Sequence, residues 1–312
     1  MQVSVIIVNY KTPQLCIDCI NSVFEKTSDL DYEIIVVDNQ SQDGSIEKLN
    51  GAFGDKIKLI ESQDNLGFGR ANNLGARSAS GEYLFLLNSD TLLKNNAIKI
   101  LFDFASASST IGIVGGNLFS KEGELIHSFK KDKFGLRDLK VVGFFKSLLH
   151  RLFHVSSGKD YNTTGAPLCI DGYITGADLM ISRSLFQQVG GFDEDFFMYF
   201  EENEMTNRVH EAGYEVYSVP AAEIIHLEGA STGKNKISAR RQRMLHQSAI
   251  LFFRKVYGEE TLIDCYKILI SNCKKVIFRK RLQFDYEAVK ALKEEKSILL
   301  QEYKNYKSER KN

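Results

Sequence analysis

Four short apolar runs alternate with helix-like segments in the first 90 residues. This alternation constrains the fold more than any other feature of the chain. The runs are residues 3–8, 33–37, 57–61 and 83–87. Apolar, β-branched runs without an alternating polar face are typical of strands buried on both faces of a parallel sheet. Strands that alternate with helices join into right-handed βαβ units. The sequence therefore predicts an α/β fold with a mostly parallel central sheet flanked by helices.

Polar side chains follow each of the four runs. They are Asn9, Asp38, Asn65 and Asp90. Ligands of open parallel sheets bind beyond the carboxyl ends of the strands, so this spacing predicts a ligand crevice at that edge. Asn and Asp also begin helices and turns. That alternative explains Asp38 and Asp90 less well, because both come at strand ends.

Composition and missing motifs exclude several classes of protein. The chain has 312 residues, of which 43% are hydrophobic and 26% charged, so a buried core is available and wholesale disorder is excluded. The N-terminus lacks the pattern of a signal peptide, and no apolar run is long enough to span a membrane. Residues 9–13 after the first run contain no glycine, and a P-loop motif is absent. NAD-dependent oxidoreductases and P-loop NTPases are therefore excluded.

The five cysteines show no disulfide pattern. Cys16 and Cys19 form a CxxC motif without a second ligand pair, so they are expected to be buried thiols on a helix rather than zinc ligands. A reduced, cytoplasmic setting is therefore expected.

Charge is distributed unevenly along the chain. Basic and acidic residues number 40 each. Residues 1–233 hold 20 basic and 31 acidic side chains, whereas residues 234–312 hold 20 and 9. The chain is therefore an acidic body with a basic tail, and the tail has a helical composition.

This division predicts two parts. The first is a domain at 1–235 with a helical insertion at about 130–155. The second is a basic helical extension at 236–312.

Two groups of residues have the chemistry of metal binding and proton transfer. Asp90, at a buried strand end, can hold Mg²⁺ or Mn²⁺ together with substrate phosphates. His226 follows an apolar strand and is a candidate further ligand, although a lone histidine there is often structural. Glu201 and Glu202 begin a helix after the apolar residues 196–200. Burial there can raise a carboxyl pKa toward that of a useful base, and the alternative is simple helix-dipole complementarity.

An ordered set of segments then resembles glycosyltransferase family 2. The segments are residues 3–10, 33–43, 64–67 with Asn72, 81–91, 190–202 and His226. The nearest resemblance is to the rhamnosyltransferase-like branch that builds bacterial surface polysaccharides such as capsule or O-antigen. The resemblance implies a GT-A (Rossmann-like) fold, a nucleotide-sugar donor, a divalent cation and inversion at the anomeric carbon. It also implies that 1–235 is the catalytic domain, with a nucleotide-binding half at 1–115 and an acceptor half at 116–235.

The resemblance also implies roles for the nucleotide side of the site. Asn9, Tyr10 and Asp38 would hold the nucleoside, with Asp38 reading the edge of a uracil or thymine ring. Asn65 and Arg70 would add further nucleotide contacts.

For the metal, the resemblance implies Asp90 as the last carboxylate of a DxD-type motif, completed by His226. Asn88 occupies the first position of that motif, and the resemblance implies that it contacts the nucleotide.

For the chemistry, the resemblance implies Glu202 as the base, at a position where the family usually has Asp. Because Glu is longer, Glu201 remains an alternative. Gly176, Ala177, Asp178 and Glu201 would line the donor-sugar and acceptor pocket.

The partners implied are a UDP- or dTDP-sugar donor and a saccharide or lipid-linked saccharide acceptor, with no nucleic acid. A sugar nucleotidyltransferase would need a Gly-rich basic loop after the first strand, which residues 9–13 lack. A non-catalytic carbohydrate-binding protein would be expected to have lost Asp90, Glu202 or His226.

The basic tail has two interpretations. Five basic residues, Lys274, Lys275, Arg279, Lys280 and Arg281, flank apolar Ile268, Leu269, Ile270, Val276, Ile277 and Phe278. Such a helix could lie on the anionic inner face of the cell membrane, with residues 144–153 of the insertion as a second contact. The same stripe could instead pack on the protein or form a homo-oligomer.

Overall fold

The computed structural model describes residues 1–141, 160–227 and 239–309. The chain divides into two compact units. Unit 1 comprises Met1–Lys133, Lys159–Phe197 and Glu201–Lys234, and unit 2 comprises Phe134–Gly158, Met198–Phe200 and Asn235–Asn312. Residues 144–153, the predicted second membrane contact, lie outside the described residues. No helix in the described ranges is long and apolar enough to cross a membrane.

The elements follow the predicted alternation. The strands are β1 (Val3–Asn9), β2 (Tyr32–Asp38), β3 (Lys58–Glu61), β4 (Tyr83–Asn88), β5 (Thr91–Leu93), β6 (Ile111–Phe119), β7 (Phe129–Lys130), β8 (Leu168–Ile170), β9 (Tyr173–Ile174), β10 (Asp178–Ser182) and β11 (Glu215–His226). The helices are α1 (Pro13–Lys26), α2 (Ser45–Phe53), α3 (Gly67–Arg77), α4 (Ala97–Ser106), α5 (Leu136–Val141), α6 (Arg183–Gln188), α7 (Glu201–Glu211), α8 (Ala239–Tyr257), α9 (Leu262–Leu282) and α10 (Tyr286–Glu309).

Unit 1 is built on a nine-stranded sheet in the order β3-β2-β1-β4-β10-β6-β11-β5, with β8 paired to β11. Neighbouring strands among β1, β2, β3 and β4 pair in parallel, as predicted. Strand β10 lies between β4 and β6 and runs antiparallel to both. Asn9 is paired in register with Asp38, and Val8 with Asn88. The polar strand ends therefore meet at one edge of the sheet.

Both faces of the sheet are covered, which explains the continuous apolar runs. In β1, Val5 and Ile7 belong to the core on one face, and Ile6 belongs to the core on the other. Helix α1 packs on the first face through Cys16 and Cys19, both fully buried. Burial raises the pKa of the Cys19 thiol to about 12. The two cysteines are therefore core thiols, as predicted.

Two features of the later strands depend on distant partners. Strands β9 and β10 are close in the sequence but belong to different sheets, because β9 pairs with β7 in a separate two-stranded sheet while β10 pairs with β4. The chain has to cross between the two sheets at 175–177. Strand β11 is continuous but has a register shift between Ser218 and Glu223. Pro220, which lacks a backbone N–H, lies in that bulge.

Unit 2 consists of helices α5, α8, α9 and α10 together with the short segment Met198–Phe200. An aromatic cluster lies at its centre: the ring of Phe134 contacts Phe200, Phe252 and Phe253 at centroid distances of 5.2, 5.9 and 6.3 Å. The Ser248 hydroxyl donates to the Met198 carbonyl at 2.7 Å. These contacts hold Met198–Phe200 within the helical unit.

A buried ionic network joins α8 to α10. Glu295 accepts from His246 Nδ1 at 3.1 Å and from Arg243 Nε at 3.0 Å. Burial alone would raise the pKa of Glu295, but these hydrogen bonds outweigh it and hold the pKa below its ordinary value. The carboxylate is therefore ionised in the folded protein at neutral pH. Its ionised form stabilises the fold when the pH is above the ordinary pKa of a glutamate carboxyl.

We expect Glu295→Gln to destabilise the protein by about 1–3 kcal/mol at neutral pH, because a buried charged acceptor is lost. A lowered folded-state pKa gives stability that is present above the unfolded pKa of 4.5 and is lost as the pH falls through the lower folded value. The difference between variant and wild type should therefore vanish in acid. Urea unfolding at neutral and acidic pH measures it. Glu294→Gln, whose side chain is 66% exposed, is the matched control and should change little.

Candidate active site

The ends of β1 and β2 are tied together by a buried hydrogen-bond group. Asp38 is 2% exposed, and its Oδ1 accepts from Asn9 Nδ2 at 2.7 Å while its Oδ2 accepts from the Ser41 backbone N–H at 2.9 Å. The Ser41 hydroxyl in turn accepts from the Lys11 backbone N–H at 2.9 Å. The structure thus brings Asn9 and Asp38 together, as their pattern predicts, and fixes the loops that follow both strands.

A pocket of about 290 Å³ opens beside this group. It is lined by Asp38, Gln40, Ser41, Gln42, Asp43, Gly44, Ser45, Ile46, Glu47, Glu61, Ser62 and Gln63. Most of these side chains carry hydrogen-bonding groups, which suits a polar heterocycle. Tyr10, at the end of β1, is 41% exposed.

The loop before α3 is shaped by Asn65. Its Oδ1 accepts from Asn39 Nδ2 at 3.1 Å and from the Gly67 backbone N–H at 3.0 Å. Gly67 has φ of +78°, and a Cβ at this position would lie 1.9 Å from the Phe197 carbonyl oxygen. Only glycine fits this approach. The amide oxygen of Asn65 therefore orders the loop, and its contact with a nucleotide remains a prediction.

Two further residues of the resemblance lie on α3. Arg70 Nε donates to the Glu194 carbonyl at 2.5 Å, and Asn72 Nδ2 donates to the Phe68 carbonyl at 3.0 Å. Both side chains contact protein groups, and the nucleotide contact of Arg70 also remains a prediction.

Asp90 and His226 are brought side by side although they lie far apart in the sequence. His226 ends β11, opposite Thr91 of β5. Its Nε2 lies 3.3 Å from Asp90 Oδ1, and the two side chains are 17% and 7% exposed. The Leu227 backbone N–H donates to the Asp90 carbonyl at 2.9 Å, which fixes the ends of both segments.

This pair fits a divalent cation. It offers one carboxylate oxygen and one imidazole nitrogen, a donor set that Mn²⁺ or Mg²⁺ can use together with phosphate oxygens. Across residues 1–141, 160–227 and 239–309, no group of three or more His, Cys, Asp or Glu side chains could hold a metal. Asn88, two residues before Asp90, ends β4.

Helix α7 is anchored by an ion pair within it. Arg208 donates to Glu204 at 2.8 and 2.6 Å and to the Gly191 carbonyl at 2.8 Å. Tyr199 and Phe200, the two residues before the helix, have φ of +76° and +70°. Bulky residues rarely adopt this conformation, and such outliers cluster at functional sites.

The two carboxyls at the start of α7 have different surroundings. Glu201 is 3% exposed, and its Oε2 has no hydrogen-bond partner among the described residues. Burial, with the charge of Glu202, raises the pKa of Glu201 well above its ordinary value. Burial also raises the pKa of the half-buried Glu202, and a backbone hydrogen bond and the charge of His127 oppose that rise. Of the two carboxyls, Glu201 is the more enclosed and Glu202 the more accessible.

The crossing at 175–177 lies between β4 and α7. The Asn88 backbone N–H donates to the Ala177 carbonyl at 3.0 Å. A Cβ on Gly176 would lie 3.3 Å from the Phe68 ring and 4.0 Å from the Glu202 Cβ. The structure therefore brings Asn88, Gly176, Ala177 and Glu202 together, and their role in a site stays a prediction.

Asp178 differs from its predicted place. It is fully buried in β10, and its Oδ2 accepts from the Gly116 backbone N–H at 2.6 Å. Its Oδ1 has no hydrogen-bond partner in the described part of the chain, and burial raises the pKa of this carboxyl well above its ordinary value. A carboxyl enclosed in the sheet offers no surface to a donor sugar, which corrects the expectation for Asp178.

The structure places one histidine near this crossing that the sequence does not single out. His127 precedes β7, and its Nδ1 lies 3.3 Å from Asp160 Oδ2; the two side chains are 40% and 38% exposed. The His127 ring stands 6.4 Å from that of Tyr173, edge to face. The Thr175 backbone N–H donates to the Ser128 carbonyl at 3.1 Å, which places this segment beside the crossing that contains Gly176. In the sequence, His127 is a lone histidine in a weakly patterned region, so no local signal marks it.

Comparison with known protein families gives two matches. The model of Glycosyl transferase family 2 matches residues 4–189. A second model, described as N-terminal domain of galactosyltransferase, matches residues 160–229. The first covers more than half of the chain and includes all four N-terminal parallel strands.

Individual proteins are similar over longer stretches. The N-acetylglucosaminyl-diphospho-decaprenol L-rhamnosyltransferase of Mycobacterium tuberculosis is 26% identical over 240 residues, covering 70% of this chain and 73% of that protein. The crystal structure of GalNAc-T7 with UDP, GalNAc and Mn²⁺ has a TM-score of 0.58 at 17% identity, covering 81% of this chain and 48% of that one. This chain thus spans about half the length of GalNAc-T7.

A second solved structure covers almost the whole chain. The mannosyltransferase PcManGT from Pyrobaculum calidifontis, in complex with GDP-Man and Mn²⁺, has a TM-score of 0.53 at 18% identity, covering 98% of this chain and 82% of that one. Both structural likenesses concern the fold, which is the GT-A fold that the sequence predicted.

Proposed function

Since this chain belongs to glycosyl transferase family 2 and is a glycosyltransferase, we propose that it moves a sugar from a UDP- or dTDP-sugar, with inversion at the anomeric carbon. The acceptor is a hydroxyl of a glycan or a lipid-linked saccharide in surface-polysaccharide synthesis. The observation that carries the proposal is the Asp90–His226 pair at the carboxyl edge of the sheet, 3.3 Å apart. Ligands of such sheets bind at this edge.

The donor side is assigned to the strand ends. Asp38 and the polar pocket beside it would receive the base of the nucleotide, with Asn9 orienting the Asp38 carboxylate. Asp90 and His226 would hold Mn²⁺ or Mg²⁺ against the diphosphate. The cation would neutralise the charge that develops on the leaving nucleoside diphosphate.

The acid–base chemistry is assigned to Glu202. Its carboxylate takes the proton from the acceptor hydroxyl as the oxygen forms a bond to the anomeric carbon. The bond from that carbon to the diphosphate breaks, and the diphosphate leaves with the electron pair. Because a single displacement occurs, the configuration is inverted. Glu201, which is only 3% exposed, is too enclosed to reach the acceptor hydroxyl.

The acceptor side is assigned to the partly exposed group formed by His127, Asp160 and Tyr173. Imidazole and carboxylate groups can hydrogen-bond to sugar hydroxyls, and an aromatic ring offers an apolar face. The M. tuberculosis relative is named for an acceptor on a diphospho-decaprenol carrier, which supports a lipid-linked acceptor for this chain. Such an acceptor would place the enzyme in the cytoplasm, at the inner face of the membrane.

We expect Asp90→Ala to abolish the dependence of donor binding on the cation, since it removes the carboxylate ligand. Titration of UDP and dTDP into the protein, with and without MnCl₂, measures this. Wild type should bind more tightly with Mn²⁺, and the variant should not respond. Asn88→Asp, which restores a carboxylate at the first position of the motif, should keep the response. Full transfer by wild type in EDTA would contradict the metal assignment.

We expect Glu202→Gln to lower kcat by about 10²–10⁴, because glutamine keeps the shape but cannot accept the proton. The dissociation constant of the donor should stay nearly unchanged. Nucleotide release from a panel of nucleotide sugars, with the acceptor saccharide present, is the assay. Glu201→Gln is the matched control and should remain active. If Glu201→Gln is dead and Glu202→Gln active, the base is Glu201.

We expect His127→Gln to raise the KM for the acceptor roughly tenfold, as for loss of one hydrogen bond. Donor binding should not change, because it does not involve the acceptor. Asp160→Asn should act in the same direction, since Asp160 lies against the imidazole. Weaker donor binding by His127→Gln would assign the residue to the donor side instead.

A further inference from the structure

Large apolar side chains are exposed together where α9 turns into α10. Phe278, Leu282, Phe284 and Tyr286 are 59%, 61%, 75% and 68% exposed, and we call these four residues the corner. Half of the eight large hydrophobic side chains exposed in the described residues fall within this stretch of nine. The packing of unit 2 does not account for them, since a side chain this exposed contributes little to a core.

The corner is not the surface that the sequence predicted. Of the apolar stripe along α9, Ile268, Leu269, Ile270 and Ile277 are at most 8% exposed and belong to the interior of the helical unit. Ile277 packs with Val289 and Leu292 of α10. Most of the stripe therefore holds unit 2 together, and Phe278 is the stripe residue that reaches the surface.

The turn that carries Phe284 is closed by hydrogen bonds. The Phe284 N–H donates to the Arg281 carbonyl at 3.1 Å, and the Asp285 N–H donates to the Lys280 carbonyl at 3.1 Å. The Asp285 Oδ1 accepts from the Ala288 N–H at 3.1 Å, as a cap of α10. The backbone of the turn is thus held in place, and the Phe284 side chain on it is 75% exposed.

Phe284 is an unusual residue for this place. Its φ is +55°, the left-handed conformation at a helix end where glycine is preferred. A bulky side chain is strained there, and this ring gains little packing in return because it is 75% exposed. Strain that the fold itself does not repay points to a function outside the fold.

Positive charge surrounds the corner. Residues 274–290 contain six basic and two acidic side chains. Lys274, Lys275, Arg279 and Arg281 are exposed, and within the described ranges none of them forms an ion pair. Lys280 differs, since it bonds to Asp285 at 2.9 Å. The corner is therefore an apolar tip with a cationic rim.

We propose that the corner docks on an anionic lipid bilayer. The aromatic and leucine side chains would enter the boundary between headgroups and acyl chains, while the basic rim meets lipid phosphates. A second copy of this chain fits less well, because pairing two corners would bring the same positive charges together. The proposal rests on unit 2 alone and does not depend on the proposed transfer reaction.

Co-sedimentation with vesicles tests the proposal. The full chain should pellet with vesicles of phosphatidylcholine that contain phosphatidylglycerol and should remain in the supernatant with phosphatidylcholine alone. Binding should weaken as NaCl is added, because salt screens the contact with lipid phosphates. Wild type that stays in the supernatant at low salt overturns the proposal.

Two variants separate the apolar tip from the rim. Phe284→Gly should weaken binding roughly tenfold, since one buried aromatic side chain is lost, while the melting temperature stays equal or rises because glycine relieves the strain. Arg279→Gln with Arg281→Gln should weaken binding roughly fivefold for each charge.

Lys304→Gln with Lys307→Gln is the matched control. These two lysines lie on α10 about 27 Å or more from Tyr286, at 1.5 Å per residue. The control removes the same charge and should retain binding. Equal losses in the control, or unchanged binding of Phe284→Gly, would overturn the proposal. Light scattering measures the oligomeric state and tests the alternative that a second copy of the chain covers the corner. If wild type is a dimer and Phe284→Gly is a monomer, the corner is a contact between copies instead.

Discussion

The parallel, in-register pairing of β1 with β2 and β4 is the constraint on which the site depends. Asn9 stands opposite Asp38, and Val8 opposite Asn88. A slip of one residue would turn every buried side chain to the other face, so the two cores fix the register. The same register that satisfies the cores delivers the polar strand ends to one edge. One strand register therefore determines both the packing of the sheet and the geometry of the site.

Local patterns predicted much of this arrangement, and they failed where pairing is non-local. The four parallel strands and the polar ends at Asn9, Asp38 and Asp90 could be predicted from short stretches of sequence. The antiparallel pairing of β10 with β4, and the pairing of β9 with β7, depend on partners that lie far away in the sequence. His127 and the enclosure of Asp178 were missed for the same reason. Their surroundings come from segments distant in the sequence.

Two neighbouring carboxyls differ in how deeply they are buried. Glu201 is enclosed and has an unsatisfied oxygen among the described residues, whereas Glu202 is half-buried and feels the charge of His127. Two residues of the same type, adjacent in the chain, thus have different surroundings. The sequence shows two glutamates, and only the fold distinguishes them.

The membership of Met198–Phe200 in the helical unit has a consequence for synthesis on the ribosome. Phe200 packs against Phe252, and Met198 is bonded to Ser248. Both partners are translated some fifty residues later, so the contacts of these three residues cannot form until then. The peptide that leads into Glu201 therefore reaches its final conformation late in synthesis. A chain cut short before α8 would leave Phe134 and Phe200 without their aromatic partners, open to chaperones and proteases.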